Sequence, residues 1–464
     1  MSELAFLEVC DAAELIRTKK LSPVEYARAL MARVEQHDNQ YNAFLRFTPE
    51  IALADAERAE AEITKGHWRG AWHGVPYALK DIIDYAGLPT TAHSKILQDN
   101  VAAGDSVVAQ RFRAAGAVFM GKLSTHEFAT GGPSFDLPWP PARNAWNRGH
   151  FPGGSSSGSG VATAAGFVPA ALGTDTAGSV RNPATMCGIV GMKPTYGLVS
   201  RRGVVPLSFS LDHVGPMTRT VRDNAMLLDL IAGYDSADPG SVNRAAGGYT
   251  AQIGQSLQGL RVGLIRHFYN RDMQADPEMA ASIDAAAAKL EALGAEVREI
   301  ETASLEEYAA VNRIILSSEA FAIHEQWMKE RPQDYGALGR ERLAAGAFIR
   351  ASDYVNALRR RRQMTGAFHA LFSDVDVMIT ASSMDPACPI DDPRQVDYTY
   401  PRQARSPFNV TGSPAISVPS GFSKDGLPLG IQLIGAPFSE ALLYRVAYAY
   451  EQASPWKDRH PTLV

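Results

Sequence analysis

The spacing of apolar residues divides the chain into a helical part and a mixed part. From Phe6 to Lys65 apolar residues recur at helical spacing, as in LSPVEYARALMARVEQH, which predicts an N-terminal helical part over residues 1–69. From Trp72 onwards, short apolar runs broken by Gly and Pro alternate with helical stretches. That alternation is typical of an α/β architecture.

Three further segments complete the predicted organisation. Residues 70–235 are predicted to form the core of the fold. Residues 236–400 contain a strand-like LRVGLIR and an alanine-rich helix, DPEMAASIDAAAAKLEALG, and are interpreted as an α/β insertion. Residues 401–464 contain two apolar strands, SPAISVPSG and LPLGIQLIG, followed by a helix. Because the sequence has no internal repeat, we predict one domain spanning residues 1–464.

The composition is that of a folded protein with no polyanionic partner. Hydrophobic residues make up 45% and charged residues 20% of the 464, which are ordinary globular values. A net charge of -5 gives no general attraction to nucleic-acid phosphates or anionic lipid. The three cysteines are widely spaced, which fits a reducing compartment better than a disulfide framework. No apolar stretch reaches about 18 residues, so we expect a cytoplasmic protein.

Two turns rich in Gly and Ser stand out in the middle of the chain. They are PGGSSSGSG at 152–160 and GTDTAGSVRNPA at 173–184, and an apolar, helical segment separates them. Serines at a turn that enters a helix face unpaired backbone N–H groups, which can hold an anion. Taken alone, the first turn is more typical of a flexible connector or a helix cap than of a functional site.

Other interpretations of these residues are weaker. The run Gly154 to Gly158 matches the Gly-x-Ser-x-Gly elbow of α/β-hydrolases, with Ser156 as nucleophile, but the elbow needs a buried strand before it and NAWNRGHFPGG is polar. The phosphate-binding pattern Gly-x-x-x-x-Gly-Lys-Ser/Thr does not occur in the sequence. The eleven histidines include no His-x-x-x-His pair, so we expect neither a metal site nor a cofactor.

A third segment, GVPYALKDII at 74–83, changes the interpretation of the serine turns. Together the three segments resemble the amidase-signature family. The resemblance continues in CGIVGMKPTYGLVSRRGVVP, SLDHVGPMTRTVRD and SPAISVPSG, and it covers residues 70–235 and 405–435. It implies a mixed central β-sheet covered on both faces by α-helices, a catalytic core over residues 70–235, and often a homodimer.

The resemblance also implies a mechanism. It assigns the nucleophile to Ser179, a bridging serine preceded by a cis peptide bond to Ser155, and the base to Lys80. Attack on an amide carbonyl requires a base for the serine proton and a proton for the leaving amine. A lysine titrates at about 10.4, and burial among the apolar residues of GVPYALKDII can lower that pKa towards 7. The Ser155 hydroxyl both accepts and donates, so it can pass the proton on.

Further residues would complete such a site. The resemblance implies that Ser156, Asp175 and Arg181 support the second serine turn. The tetrahedral oxyanion needs preorganised donors, and this turn offers a run of backbone N–H groups. The predicted oxyanion donors are Thr176, Ala177, Gly178 and Ser179. Many family members have glycine where this chain has Ala177, so the geometry of the turn is open at that position.

The substrate pocket is less constrained by the motifs. The segment KLSTHEFATGG resembles the family stretch that borders the scissile bond, so Ala129, Thr130 and Gly131 are expected to line the acyl pocket. Acyl specificity is expected to come mostly from the regions Ile314 to Trp327 and Tyr398 to Arg405, which the motifs leave free.

Three functions remain open at this point. The first is a free-standing enzyme that hydrolyses a linear carboxamide, or a related urea or anilide, to an acid and ammonia or an amine through an acyl-enzyme. The second is the glutaminase subunit of a tRNA-dependent amidotransferase. The third is a catalytically silent binding protein. GTDTAGSVRNPA and SFDLPWPPARNAWN favour the first by analogy, with a small-molecule amide as partner and neither nucleic acid nor membrane.

Overall fold

The computed structural model describes residues 2–463, and its centre is a single eleven-stranded β-sheet. In chain order the strands are β1 (Phe44–Phe47), β2 (Pro76–Lys80), β3 (Val118–Leu123), β4 (Ala170–Asp175), β5 (Val190–Lys193), β6 (His213–Thr218), β7 (Arg261–Leu264), β8 (Glu296–Glu299), β9 (Val377–Ala381), β10 (Ala415–Phe422) and β11 (Pro428–Gly435). Across the sheet their order is β1-β3-β2-β4-β6-β5-β10-β11-β9-β7-β8.

Helices flank this sheet. They are α1 (Ser2–Ala5), α2 (Val9–Arg17), α3 (Pro23–Tyr41), α4 (Pro49–Thr64), α5 (Val107–Ala115), α6 (Ser157–Ala164), α7 (Arg181–Cys187), α8 (Val221–Ile231), α9 (His267–Asn270), α10 (Pro277–Ala292), α11 (Leu305–Glu330), α12 (Ala337–Ala344), α13 (Ala351–Ala370), α14 (Pro393–Thr399), α15 (Pro407–Val410) and α16 (Glu440–Gln452). A mixed sheet between helices confirms the predicted α/β fold class. Within residues 2–463, no helix has the length and apolar character needed to span a bilayer.

The parallel strands β3, β2 and β4 determine where polar residues gather. β2 pairs in parallel with β4 through Ala78↔Ala171 and Leu79↔Leu172, and with β3 on its other side. The carboxyl ends of parallel strands meet at the same edge of a sheet, which is where ligands bind in open α/β folds. The segments that follow β2, β3 and β4 therefore lie close together.

The segment 236–400 extends the same sheet. Its strands β7 and β8 pair in parallel with each other, and β7 pairs in parallel with β9. β9 then pairs antiparallel with β11, whose partner β10 joins β5 of the preceding core. The C-terminal strands thus lie in the middle of the sheet, between the two parallel groups.

The N-terminal part departs from the helical prediction at one place. Residues 44–47 form strand β1, which pairs antiparallel with β3 at the edge of the sheet. The sequence FLRF is too short to display a period of two, and three of its four residues are only half-buried. Periodicity therefore could not separate this strand from the helices α3 and α4 on either side.

Candidate active site

A lysine at the carboxyl end of β2 contacts two hydroxyl groups. Lys80 is fully buried, and its Nζ donates to Ser155 Oγ at 2.7 Å and to Thr174 Oγ1 at 2.8 Å. Thr174 belongs to β4, the parallel neighbour of β2, so the register of the sheet brings it beside the lysine. Ser155 comes from the first serine-rich turn.

The surroundings of this lysine favour its neutral form. Burial lowers the pKa of Lys80 from 10.5 to about 7, and the carboxylates of Asp212 and Asp175 oppose that fall. A buried ammonium loses its hydration, and hydroxyl acceptors replace water without supplying a compensating charge. At neutral pH a large fraction of this amine is therefore free to accept a proton.

The two serine-rich turns are in direct contact. The Ser156 N–H donates to the Ser179 carbonyl oxygen at 3.2 Å, so the second turn lies against the first. The Gly154–Ser155 peptide bond is cis, as the resemblance implies. The Ser156 hydroxyl also accepts from the Thr174 N–H at 3.2 Å and donates to the Thr174 carbonyl at 3.3 Å. Ser156 therefore fixes the first turn to the end of β4.

A buried ion pair holds the second turn. Arg181 Nε and Nη2 donate to the two carboxylate oxygens of Asp175 at 3.0 and 2.9 Å, and both side chains are fully buried. Burial alone would raise the pKa of Asp175, but the adjacent guanidinium holds it well below its usual range. The pair therefore stays charged at neutral pH and fixes the start of α7 against the end of β4.

The C-terminal strands and α15 complete this arrangement. Arg181 Nη1 donates to the Arg405 carbonyl and to Gln432 Oε1, both at 2.9 Å, and Nη2 donates to Asn409 Oδ1 at 2.7 Å. Asn409 in turn donates to Asp175 Oδ1 at 2.9 Å. These partners follow Arg181 by more than two hundred residues, so no local motif indicated them.

The backbone conformation of the second serine-rich turn explains why alanine is tolerated at position 177. The left-handed residue is Gly178, with φ of 122°, and not Ala177. A Cβ on Gly178 would overlap the Arg405 side chain, so glycine is needed at position 178 rather than at 177. The Gly178 N–H donates to Asp175 Oδ1 at 2.8 Å, so it is already engaged. Of the predicted oxyanion donors, Thr176, Ala177 and Ser179 remain.

An aromatic residue that the motifs did not indicate reaches the predicted nucleophile. The hydroxyl of Tyr400, just after α14, lies near the Ser179 side chain. Burial raises the pKa of Tyr400, while the charge of Arg405 and the nearby Ser179 side chain lower it. The Tyr400 ring packs edge-on against Phe151 and His126 at 5.5 and 5.7 Å. This contact lies inside the region 398–405 that was expected to contribute to specificity.

The three residues predicted to line the acyl pocket lie in the loop after β3, and each has a different environment. Ala129, at φ of 60°, lines a cavity of about 420 Å³ together with Thr174 and Thr176. The Thr130 N–H donates to the Glu127 carbonyl at 3.0 Å and closes the turn. Gly131 instead faces the side chain of Leu338 in α12. α12 therefore covers the loop that carries all three predicted residues.

One group of side chains away from this site has the composition of a metal site. Glu8, Cys10 and Asp223 place one ligand atom each within 4.8 Å of one another. The Asp223 carboxylate accepts from the backbone N–H groups of Val9 and Cys10 at 2.8 and 3.2 Å. This is the way an acidic side chain caps the first turn of a helix, here α2, so the cluster has a structural explanation.

Comparisons with known proteins agree with this arrangement. The family model described as Amidase matches residues 25–444. An amidase of Pseudomonas putida is 39% identical over 479 residues, which cover 100% of this chain and 99% of that protein. One subunit of the glutamyl-tRNA(Gln) amidotransferase of a Geobacter species is 37% identical over 483 residues, or 98% of each chain. The solved structure of native peptide amidase from Stenotrophomonas maltophilia matches with a TM-score of 0.87 and 32% identity over 98% of both chains.

The fold and these matches define an amidohydrolase, an enzyme that hydrolyses C–N amide bonds. The chain belongs to the Amidase family, whose members carry the amidase signature, so the resemblance seen in the motifs is confirmed.

Proposed function

We propose that this protein is a free-standing amidase that hydrolyses a linear carboxamide through an acyl-enzyme on Ser179, with Lys80 as base and Ser155 as relay. The observation that carries the proposal is the buried Lys80 amine, which contacts the Ser155 hydroxyl in a turn that lies against the Ser179 turn. Its pKa of about 7 makes the amine a competent proton acceptor at neutral pH.

The proposed reaction has two stages. Neutral Lys80 takes the Ser155 proton while Ser155 takes that of Ser179, and Ser179 Oγ bonds to the carbonyl carbon. The N–H groups of Thr176, Ala177 and Ser179 stabilise the oxyanion, where each such donor contributes about 2.7–4 kcal/mol. The C–N bond then breaks as the proton returns through Ser155 to the leaving nitrogen. Water, deprotonated by the same route, then attacks the ester carbonyl carbon. The ester C–O bond breaks as the proton returns through Ser155 to Ser179 Oγ, and the acid is released.

The residues around this sequence have positioning roles in the proposal. The Thr174 hydroxyl accepts a second hydrogen bond from Lys80 and keeps the amine beside Ser155. Ser156, Asp175 and Arg181 hold the two turns together. The Tyr400 hydroxyl lies near the Ser179 side chain and is suited to orient it before attack.

A second candidate is the glutaminase subunit of a tRNA-dependent amidotransferase. The Geobacter amidotransferase subunit supports it, because its identity of 37% is close to the 39% of the Pseudomonas putida amidase. Overall similarity therefore does not separate the two functions. They differ in what the isolated chain can do, since a free-standing amidase needs neither glutamine nor accessory subunits.

Ammonia release by the purified chain tests both candidates. We expect turnover of simple amides such as acetamide and benzamide without any partner, and loss of that turnover in Ser179→Ala. The matched control is Ser236→Ala at an exposed serine, which is expected to keep wild-type rates. If the chain released ammonia only from glutamine and only with accessory subunits present, the second function would replace the first.

A further inference from the structure

Beside the proposed catalytic residues lies a cavity whose walls are mostly hydrocarbon. We propose that this cavity, of about 420 Å³, binds an aryl group or a hydrocarbon group of similar size on the amide substrate. The inference rests on the proposed function and adds the class of substrate. It predicts that the enzyme prefers amides with an apolar substituent and that glutamine is a poor substrate.

The cavity is continuous with the proposed catalytic centre. It is lined by Thr174, whose hydroxyl contacts Lys80 Nζ at 2.8 Å, and by Thr176 of the oxyanion turn. Ala129, one of the residues predicted to line the acyl pocket, forms part of the same wall. A group that fills this space is therefore adjacent to an amide carbonyl held at the oxyanion turn.

The segment between β5 and β6 supplies most of the apolar wall. The hydrocarbon side chains that this segment contributes are Val204, Val205, Pro206, Leu207 and Phe209, and Ile82 after β2 lies in the same wall. Phe209 is 55% exposed, so the cavity opens to solvent on that side. Burial of apolar surface contributes roughly 25 cal/mol per Å². An amide with a large hydrocarbon substituent therefore gains binding free energy from burial in this cavity, whereas acetamide, with only a methyl group, gains little.

The charged side chains on the wall already have partners. Arg201 pairs with Asp238 through Nη2 and Oδ1 at 3.0 Å, and Arg202 pairs with Asp235 through Nε and Oδ2 at 2.9 Å. Asp212 accepts the Thr176 hydroxyl at 2.6 Å and the backbone N–H groups of residues 207 and 208, both at 2.9 Å.

These ion pairs and hydrogen bonds make a charged substituent unfavourable inside the cavity. Glutamine carries an ammonium and a carboxylate on its α-carbon, and a charge placed in the interior of the cavity would have to leave water or displace an existing partner. A buried charge without a partner is strongly unfavourable. An uncharged hydrocarbon group meets no such penalty.

The volume also fits the proposed group. An apolar cavity of roughly 150 Å³ admits benzene, and small-molecule sites are commonly about 300–1,000 Å³. At about 420 Å³ this cavity holds an aromatic ring with space for a short linker. Added bulk on the wall would therefore narrow the space that the ring occupies and matter less for a methyl group.

The test compares three substrates in wild type and in Val205→Phe. The substrates are acetamide, with no large group, 3-phenylpropanamide, with the ring on the acyl side, and acetanilide, with the ring on the amine side. We expect the wild type to have at least about tenfold higher kcat/KM for one ring-bearing substrate than for acetamide. Val205→Phe should reduce that value about tenfold or more and reduce the value for acetamide by a clearly smaller factor. The substrate that is affected identifies the side of the amide that enters the cavity.

The control is Val101→Phe, the same change at a position that is 57% exposed, which should alter none of the three values. If Val205→Phe fails to fold, Val204→Phe narrows the same cavity from the adjacent position. An unchanged ratio of ring-bearing substrate to acetamide in a folded variant would overturn the inference, as would a higher kcat/KM for glutamine than for both ring-bearing substrates. If either result were found while acetamide was still hydrolysed in a Ser179-dependent way, the inference would fail but the proposed function would stand.

Discussion

At the scale of single residues, two buried lysines in adjacent strands differ in their partners. Lys122 in β3 is fully buried and contacts the Asp81 carboxylate at 2.9 Å, so its charge is compensated. Lys80 in the adjacent β2 contacts only hydroxyl groups at its Nζ. A fall in its pKa from 10.5 to about 7 means that the protein destabilises the ammonium form, relative to the neutral amine, by roughly 5 kcal/mol. Lys122 is therefore suited to a structural role and Lys80 to proton transfer.

This difference predicts a pH profile. A base must be neutral to accept a proton, and the neutral fraction of Lys80 falls tenfold per pH unit below its pKa of about 7. The kcat/KM for acetamide should therefore rise about tenfold per pH unit below neutrality and level off above it. Lys80→Met keeps the volume of the side chain and removes the base, so kcat/KM should fall about 10²–10⁴-fold while the melting temperature is largely kept.

Lys329→Met is the matched control for that prediction, because the Lys329 side chain is 70% exposed on α11. It is expected to leave both the rate and the profile unchanged. A flat profile between pH 5 and 9 in the wild type, or wild-type rates in Lys80→Met, would remove this lysine from the mechanism.

At the scale of elements, α12 is attached to the loop that follows β3. The Glu127 carboxylate accepts from Ser94 Oγ at 2.6 Å and from the Gly336 N–H at 3.0 Å, and Asp136 accepts from the Ala337 N–H at 2.8 Å. Two carboxylates at the start of one helix interact favourably with its dipole. The position of α12 therefore depends on Glu127, which lies two residues before Ala129 of the cavity wall.

Glycine at position 339 is predicted to be required for this attachment. A Cβ on Gly339 would overlap Glu127 Oε2, so in Gly339→Ala the carboxylate must move and its hydrogen bond from the Gly336 N–H should be lost. Overpacking of this kind costs about 1–3 kcal/mol, which a lower denaturation midpoint would reveal. The displaced loop should also raise KM for a ring-bearing amide.

The control for that change is Gly366→Ala in α13, where a Cβ meets nothing within 4 Å. Helix propensity alone should stabilise this variant by up to about 1 kcal/mol. Equal stability of the two variants would show that Glu127 and α12 are not packed as described.

Elements with long, regular patterns could be predicted from the sequence. The alanine-rich segment forms α10, with Gly294 left-handed just beyond its end, and the two apolar runs near the C-terminus form β10 and β11. The four-residue β1 could not be predicted, because its pairing with β3 is a tertiary contact. Local propensity has no access to such contacts.

The same limit applies to the candidate site. Lys80, Ser155 and Ser179 lie in recognisable motifs, and the structure brings the two serine turns and the lysine into contact. Tyr400 lies outside the motifs, just after α14, and its proximity to Ser179 is a tertiary contact that the local sequence does not reveal. Thr174 was within a motif, but only the register of β2 and β4 shows that its hydroxyl faces the lysine.

At the scale of the whole molecule, the continuous sheet makes the candidate site depend on distant segments. β10 and β11 lie between the core strands and the group β7 to β9. Gln432, in β11, accepts from Arg181 and donates to the Ala404 carbonyl at 2.7 Å. The segment 236–400 is thus joined to the core by backbone pairing, and the turn that carries Ser179 is joined to the C-terminal strands by side chains.

This connectivity predicts that the core and the segment 236–400 unfold together. β9 is paired with β11 over five residues, and β10 is paired with β5 over three. If one group of strands unfolded, the backbone groups and apolar faces of the neighbouring strands would become exposed. In hydrogen exchange followed by mass spectrometry across a denaturant series, peptides covering β4 and β7 should lose protection at the same midpoint. Residues 243–248, which are exposed, should exchange rapidly throughout and serve as the internal reference. Loss of protection in β7 at a clearly lower denaturant concentration than in β4 would instead identify 236–400 as a separate folding unit, and would mean that the pairing of β9 with β11 does not couple the two halves of the sheet.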